Sequence, residues 1–368
     1  MKIAICTTSY NAYSETFIKA QIDLLPASII LHTGWLPTQY NNGLPIQSVS
    51  NVFQNRYLQK IFRSNQSSAE DAIGLLLTRN KIDVVLAQYG PGGVAMLPVC
   101  KKYGIPLVVH FHGFDASEKS TLKQYKDQYL QLFEYSKAVV AVSTAMKNNL
   151  ISLGCPEEKI IHITYGPNDI FFKNNPNFQS NTFFAIGRFV AKKAPYLTIL
   201  AFNELLKECP AARLQIAGEG ELLSTCYNMI KALRIEDKVE LLGVITPEQA
   251  REKMANSLAF VQHSIVAANG DSEGTPLAIL EAQAAALPVI GTYHAGIPEV
   301  VVDRETGYLV QETDIFGMKE AMKKVFYDRS LAKKLGFEGR NRIKSNFTME
   351  MYINNLKDTL NASMNLML

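Results

Sequence analysis

The chain is short of net charge. Against 37 Lys and Arg stand 34 Asp and Glu, leaving +3 over 368 residues, and so small a surplus argues against nucleic acid as a main partner. The surplus lies in residues 1–170, with 15 basic and 12 acidic side chains, whereas 171–368 hold 22 of each. Cysteine is scarce and odd in number: Cys6, Cys100, Cys155, Cys209 and Cys226 are scattered and form no Cys-x-x-Cys. That excludes a disulfide framework and a zinc cluster and suits reduced thiols in a cytoplasmic protein. No run of 18 apolar residues occurs, so no membrane-spanning helix is expected. The opening Met-Lys-Ile-Ala-Ile-Cys is apolar for too few residues to be a signal peptide and is followed at once by Thr7-Thr8-Ser9; it reads as a buried strand. Internal repeats and low-complexity segments are also missing.

What is present is a strand–helix rhythm. Short apolar runs at 29–32, 83–88, 107–110, 138–142 and 160–163 alternate with helical patterns at 15–25, 69–79, 94–102 and 119–136. The pattern breaks near 166–180, around Lys173-Asn-Asn-Pro-Asn177, and restarts with runs at 183–186, 214–216, 239–242, 259–262, 289–291 and 308–310. Thr246-Pro247-Glu248-Gln249 has the form of a capping box with proline at the first helical position. Alternation of this kind argues parallel sheets covered on both faces. The expected fold class is α/β, with two doubly wound Rossmann-like domains across a cleft. Residues 1–170 and 171–349 would form the domains, and a C-terminal helix at about 350–368 would pack back on the first. Ligands of such folds bind at the carboxyl ends of the strands.

The chemistry concentrates in 269–300. Glu273 and Glu281 bracket Gly274, Thr275 and Pro276, and a helix apolar nearly all round follows through Leu287. Thr275 then Pro276 reads as a hydroxyl cap followed by a first-turn proline. A carboxylate inside so apolar a helix needs a partner, because burying it alone is costly. Glu281 leans toward the helix N-terminus, where unpaired amides and the positive dipole end suit an anion. A diphosphate on the amides of Gly274, Thr275, Pro276 and Leu277, with two carboxylates holding hydroxyls, accounts for the stretch. The plainer alternatives are a core arginine or the cap of a neighbouring helix for Glu281 and solvent for Glu273.

Elsewhere, Gly187-Arg188 and, five residues after Arg188, Lys193 close a strand with an arginine fork and a point charge, donors suited to a diphosphate. Gly218-Glu219-Gly220 closes another strand, a turn that βα units use routinely. Asp271 and Glu273 could together hold a divalent cation, and His110 and His112 share one strand face with Asp115 nearby. An acidic pair at that spacing is common on solvated loops, and the histidines have no third ligand of matching spacing except Asp115; neither pattern calls for a metal, and no cofactor is expected.

Taken together these motifs resemble the retaining glycosyltransferase family four, of GT-B fold. The Glu273–Glu281 stretch with Leu287-Pro-Val-Ile290 is similar to its donor motif, and Gly187-Arg188…Lys193 to its diphosphate motif, although Ala194-Pro195 stands where Gly usually follows the Lys. Gly218-Glu219-Gly220 is similar to its turn beside the nucleotide, and Phe111-His112-Gly113-Phe114-Asp115 to its element whose His reaches the reacting sugar. Ser14-Glu15-Thr16-Phe17 and Tyr89-Gly90-Pro91-Gly92 resemble a colanic-acid and exopolysaccharide subset, with Gln88 in place of the usual His. The resemblance implies a metal-independent transferase using a UDP- or GDP-sugar and a glycan or lipid-linked glycan acceptor. Arg188, Lys193, Glu273 and His112 would be catalytic, and Glu281 would hold the ribose. Glu15, Thr16, Tyr89, Gly90, Gly92 and Asp115 would lie on the acceptor side. The rivals are a nucleotide-sugar epimerase of the same architecture and a binding protein without chemistry. Residues 52–63 set Arg56, Lys60 and Arg63 at i, i+4 and i+7 beside Phe53, Tyr57 and Ile61, a face suited either to solvent or to anionic lipid.

Overall fold

The computed structural model describes residues 1–10, 15–46 and 65–365; the basic face at 52–63 lies outside the described residues. The chain divides into two compact units, Met1–Ile163 with Ile353–Leu368, and Thr164–Tyr352. Each is built around one sheet.

The first sheet contains β1 (Ile3–Cys6), β2 (Ala27–His32), β3 (Gln39–Tyr40), β4 (Leu44–Pro45), β5 (Val84–Gln88), β6 (Leu107–His110), β7 (Ala138–Ala141) and β8 (Ile160–His162), in the order β4-β3-β2-β1-β5-β6-β7-β8. From β2 through β8 every pairing is parallel, while β3 and β4 add an antiparallel edge that periodicity did not reveal. Two-residue strands are too short to show a period. Strands β1, β5, β6 and β7 are buried at every position, which is why they read as continuous apolar runs rather than alternations.

The second sheet is wholly parallel: β9 (Thr182–Ile186), β10 (Arg213–Ala217), β11 (Val239–Gly243), β12 (Ala259–Val261), β13 (Val289–Thr292) and β14 (Gly307–Val310), ordered β11-β10-β9-β12-β13-β14. The chain winds outward from β9 to β11, then returns to β12 and winds the other way. The switch point therefore lies between β9 and β12, and their carboxyl ends open the crevice where such sheets bind ligands.

The stretch at 168–177, expected as a break in pattern, is folded into the second unit. Asp169–Lys173 forms a 3-10 turn that buries Phe171, Asn174 donates to the Arg251 carbonyl, and Arg340 donates to the Asn174 carbonyl. The capping box at Thr246 forms in both directions. The last helix, Met349–Asn365, begins in the second unit and from Ile353 belongs to the first, burying Leu356 and Leu360. Among the described residues no helix is long and apolar enough to cross a membrane.

Candidate active site

Parallel strands deliver all their outgoing turns to one edge, and the second unit uses that edge fully. The turn after β9 carries Gly187, Arg188, Lys192 and Lys193; that after β10, Gly218 to Gly220; that after β12, Gln262 through Glu273. Turns after β13 and β14 bring His294 and Glu312. Gly218 and Gly220 are required here: their φ angles are +124° and +152°, and a Cβ would stand 2.0 Å from the Gly187 carbonyl and 2.5 Å from that of Phe189. Their turn presses directly on the Gly187–Phe189 backbone, where Phe189 N donates to the Glu219 carbonyl at 2.8 Å. Glu219 itself is exposed. A small pocket at the switch point is lined by Gly187, Arg188, Lys193, Thr198 and Gln262 among others.

The acidic loop is held by lysines. Lys193 Nζ lies 2.9 Å from Glu273 Oε1, and Lys192 Nζ lies 2.9 Å from Asp271 Oδ1 while donating to the Ser272 carbonyl at 3.1 Å. Burial pushes the Glu273 carboxyl up, but Lys193 and then Lys192 outweigh it and hold it at about 2. Burial lowers Lys193 from its usual value, with Glu273 opposing that shift. Arg188, by contrast, is exposed, and its guanidinium makes no ion pair or hydrogen bond among the described residues.

Glu281 behaves in the opposite way. It stands in the helix Leu277–Ala284, its carboxyl has no hydrogen-bond or ion-pair partner among the described residues, and burial pushes that carboxyl up to about 8. The helix starts later than expected. Pro276, at ψ 113°, is still extended and takes the cap position in place of Thr275, and its side chain makes no cap hydrogen bond. The helix also ends at Ala284 rather than Leu287, because Ala286 turns to φ +60°.

In the first unit the turns after β5 and β6 are tied by one carboxylate. Asp115, fully buried, accepts from Gly113 N at 2.8 Å, His112 N at 3.0 Å and Gly90 N at 3.0 Å. Burial still pushes it up to about 6 against those three amides. This is a clamp on backbone, a task the acceptor-side expectation did not include. His112 Nε2 meets Gln88 Oε1 at 2.8 Å; Gln88 donates to Gln21, whose amide nitrogen lies 3.2 Å from His110 Nδ1. Burial, and then His110, push His112 well below its usual value, so it is neutral. Tyr89 donates to Glu15 at 2.7 Å and sits at φ +65°, ψ 148°, a strained backbone region. Gly90 and Gly92 lie buried in the first turn of the helix Gly90–Tyr103, which begins before the expected 94. Thr16 is exposed at the start of Thr16–Leu24.

Two family models match the chain: Glycosyltransferase Family 4 over residues 30–168 and Glycosyl transferases group 1 over 168–342. The chain belongs to glycosyltransferase family 4. Its curated relatives include the putative colanic acid biosynthesis glycosyltransferase WcaL of Escherichia coli K12, 30% identical over 72% of this chain and 66% of the relative. The amylovoran biosynthesis glycosyltransferase AmsK of Erwinia amylovora is 27% identical over 76% and 70%. The match spans less than two thirds of the E. coli relative and 58% of its Salmonella typhimurium counterpart. Among solved structures, Anabaena Alr3699/HepE in complex with UDP-glucose is 16% identical with a TM-score of 0.79, covering 98% of this chain and all of that one. Sucrose-phosphate synthase from Thermosynechococcus elongatus is 16% identical with a TM-score of 0.77, covering 99% of each. The fold is GT-B.

Within this family 4 chain the second unit carries Gly187, Arg188, Lys193, Gly218, Glu219, Glu273 to Leu277 and Glu281, and brings Gly187, Arg188 and Lys193 to one pocket and Lys193 to Glu273. The first unit carries Glu15, Tyr89, Gly90, Gly92, His112 and Asp115. Sequence reasoning passed over Lys192, Gln21, His294 and Glu312. Each is an ordinary residue type at no defined position of a motif, and only its partner, 79 residues away for Lys192 and 18 for the His294–Glu312 pair, marks it.

Proposed function

We propose that this protein is a retaining, metal-independent glycosyltransferase that moves a sugar from a UDP- or GDP-sugar to a glycan or lipid-linked glycan in bacterial exopolysaccharide synthesis. The observation that carries this is Glu281: a carboxylate without a protein partner among the described residues, on a helix whose cap residue, Pro276, supplies no side-chain cap, at the carboxyl edge of a doubly wound sheet. A ribose supplies the hydroxyl donors it lacks. The diphosphate takes the amides at Gly274, Thr275 and Leu277, with Arg188 and Lys193; Pro276, having no N–H, only shapes that turn. Glu273 holds the transferred sugar. His112 serves the transferred sugar from the first unit, whose Glu15, Tyr89 and Gly90 to Gly92 take the acceptor.

Reaction then proceeds on one face of the sugar, the leaving diphosphate helping to take the acceptor proton. Stabilising that leaving group is the largest contribution, typically about 3 kcal/mol per key contact. No cation is called for at Asp271 and Glu273, since each carboxylate already has an ammonium at 2.9 Å; turnover should survive EDTA, and rescue of a chelated enzyme by manganese would overturn this. The relatives' names support an enzyme of polysaccharide synthesis; the reading adds a cytoplasmic setting, with the basic face at 52–63 offered to anionic membrane.

The test is calorimetry and initial rates on two variants. A contact made equally in ground and transition states acts on KM, one that grows acts on kcat. Glu281→Gln should bind bare UDP or GDP poorly, the unsatisfied amide costing about 1–3 kcal/mol. Glu273→Gln should bind bare nucleotide nearly as wild type and lose kcat. Equal loss of nucleotide binding in both variants would refute the division.

A further inference from the structure

Glu273 is held at both its side chain and its backbone, and the backbone hold comes from residues at no defined position of a motif. Its amide donates to His294 Nε2 at 3.1 Å, and Ser272 Oγ lies 3.2 Å from the same nitrogen. A backbone amide can only donate, so Nε2 carries a lone pair and the ring proton is on Nδ1. Nδ1 faces Glu312 Oε1 at 2.6 Å, and the other oxygen of Glu312 accepts Val266 N at 2.9 Å. The imidazole is fully buried, so water is no substitute for either partner. Beside it, Gly296 N donates to the Gly274 carbonyl at 3.0 Å. The turn after β13 thus splints the loop on both sides of Glu273.

Resting on the reading of Glu273 as the sugar contact, we propose that His294 and Glu312 are positioning residues for it. Glu312 selects the Nδ1–H tautomer of His294, whose Nε2 then fixes the Glu273 amide and with it the direction of the carboxylate. The alternative tautomer would set Nε2–H against the Glu273 N–H, two donors facing each other, and the loop would have to move. A carboxylate is suited to this selection because both its oxygens accept, one from imidazole and one from Val266. An amide of the same shape cannot satisfy both. Turned one way, Gln at 312 opposes its NH2 to Val266 N–H; turned the other, it donates to Nδ1 and imposes the wrong tautomer.

Glu312→Gln is therefore the test, because a packing role would tolerate so isosteric a change. Nitrogen NMR of histidine-labelled protein, with His294 assigned by the signal lost in His294→Gln, should show Nδ1 protonated and Nε2 bare in wild type. Release of UDP from UDP-glucose, or of GDP from GDP-mannose, measures turnover with water as acceptor. For Glu312→Gln we expect kcat at least tenfold down and affinity for bare UDP or GDP within twofold of wild type. A protonated Nε2 in wild type, or unchanged kcat in Glu312→Gln where Glu273→Gln is inactive, overturns the proposal and leaves the role of Glu273 standing. Full turnover by Glu273→Gln instead removes the role of Glu273, and the proposed positioning with it, whatever the tautomer.

Discussion

Burial acts in one direction on Glu273 and Glu281, and their partners make the results opposite. Lys193 and Lys192 bring Glu273 down to about 2, whereas Glu281, with nothing to oppose burial, rises to about 8 from an ordinary 4.5. For Glu281 the folded chain holds a proton that the unfolded chain has lost between those values. Its contribution to ligand-free stability is complete below 4.5 and is lost as pH rises through about 8. The Tm of Glu281→Gln relative to wild type should accordingly climb from pH 5 to pH 8. Ligand reverses the preference, since ribose hydroxyls donate to a charged carboxylate. Binding at pH 7 should therefore expel about one proton. Calorimetry of UDP or GDP in buffers of differing ionisation heat reads this, with Glu281→Gln correcting for the nucleotide's own phosphate. No proton release beyond that of the variant would take Glu281 away from the ribose.

At the scale of elements, strands were legible because fully buried parallel strands read as apolar runs, and 107–110 was bounded to the residue. Turns were legible only where one residue type dictates geometry, as at Gly218. The helix start at Leu277 was misplaced because Thr-Pro satisfies two capping patterns and ψ at Pro276 chooses between them. The Asp115 clamp was illegible for a different reason: its neighbours in sequence suggested a site, and only the fold shows its oxygens filled by backbone. That clamp joins the turns after β5 and β6, which present Tyr89 and His112. Asp115→Asn replaces one acceptor by a donor aimed at amides, costing about 1–3 kcal/mol. A fall of several degrees in Tm is expected, with the loss of turnover exceeding that of nucleotide binding, since the proposed nucleotide site belongs to the other unit. Unchanged Tm would mean that the three amide bonds do not constrain these turns.

For the molecule as a whole, the near balance of charge sets what a membrane can do. A net charge of +3, with 22 basic and 22 acidic residues in 171–368, gives no general attraction to an anionic surface. Any such attraction must be local, and the sequence offers one candidate in Arg56, Lys60 and Arg63 with Phe53, Tyr57 and Ile61 beside them. Basic residues near an anionic surface are worth about 1 kcal/mol each. Replacing all three by Gln should weaken partition by about 3 kcal/mol, or roughly a hundredfold. Co-sedimentation with vesicles containing phosphatidylserine measures it. The wild type should bind them better than neutral phosphatidylcholine vesicles, and raised salt should diminish the difference because the interaction is screened. The same triple variant should keep its turnover of UDP- or GDP-sugar, since none of the three residues belongs to the proposed donor or acceptor set. Equal partition of wild type and variant onto the anionic vesicles would leave the 52–63 face to solvent, and a lipid-linked acceptor would then have to be reached without it.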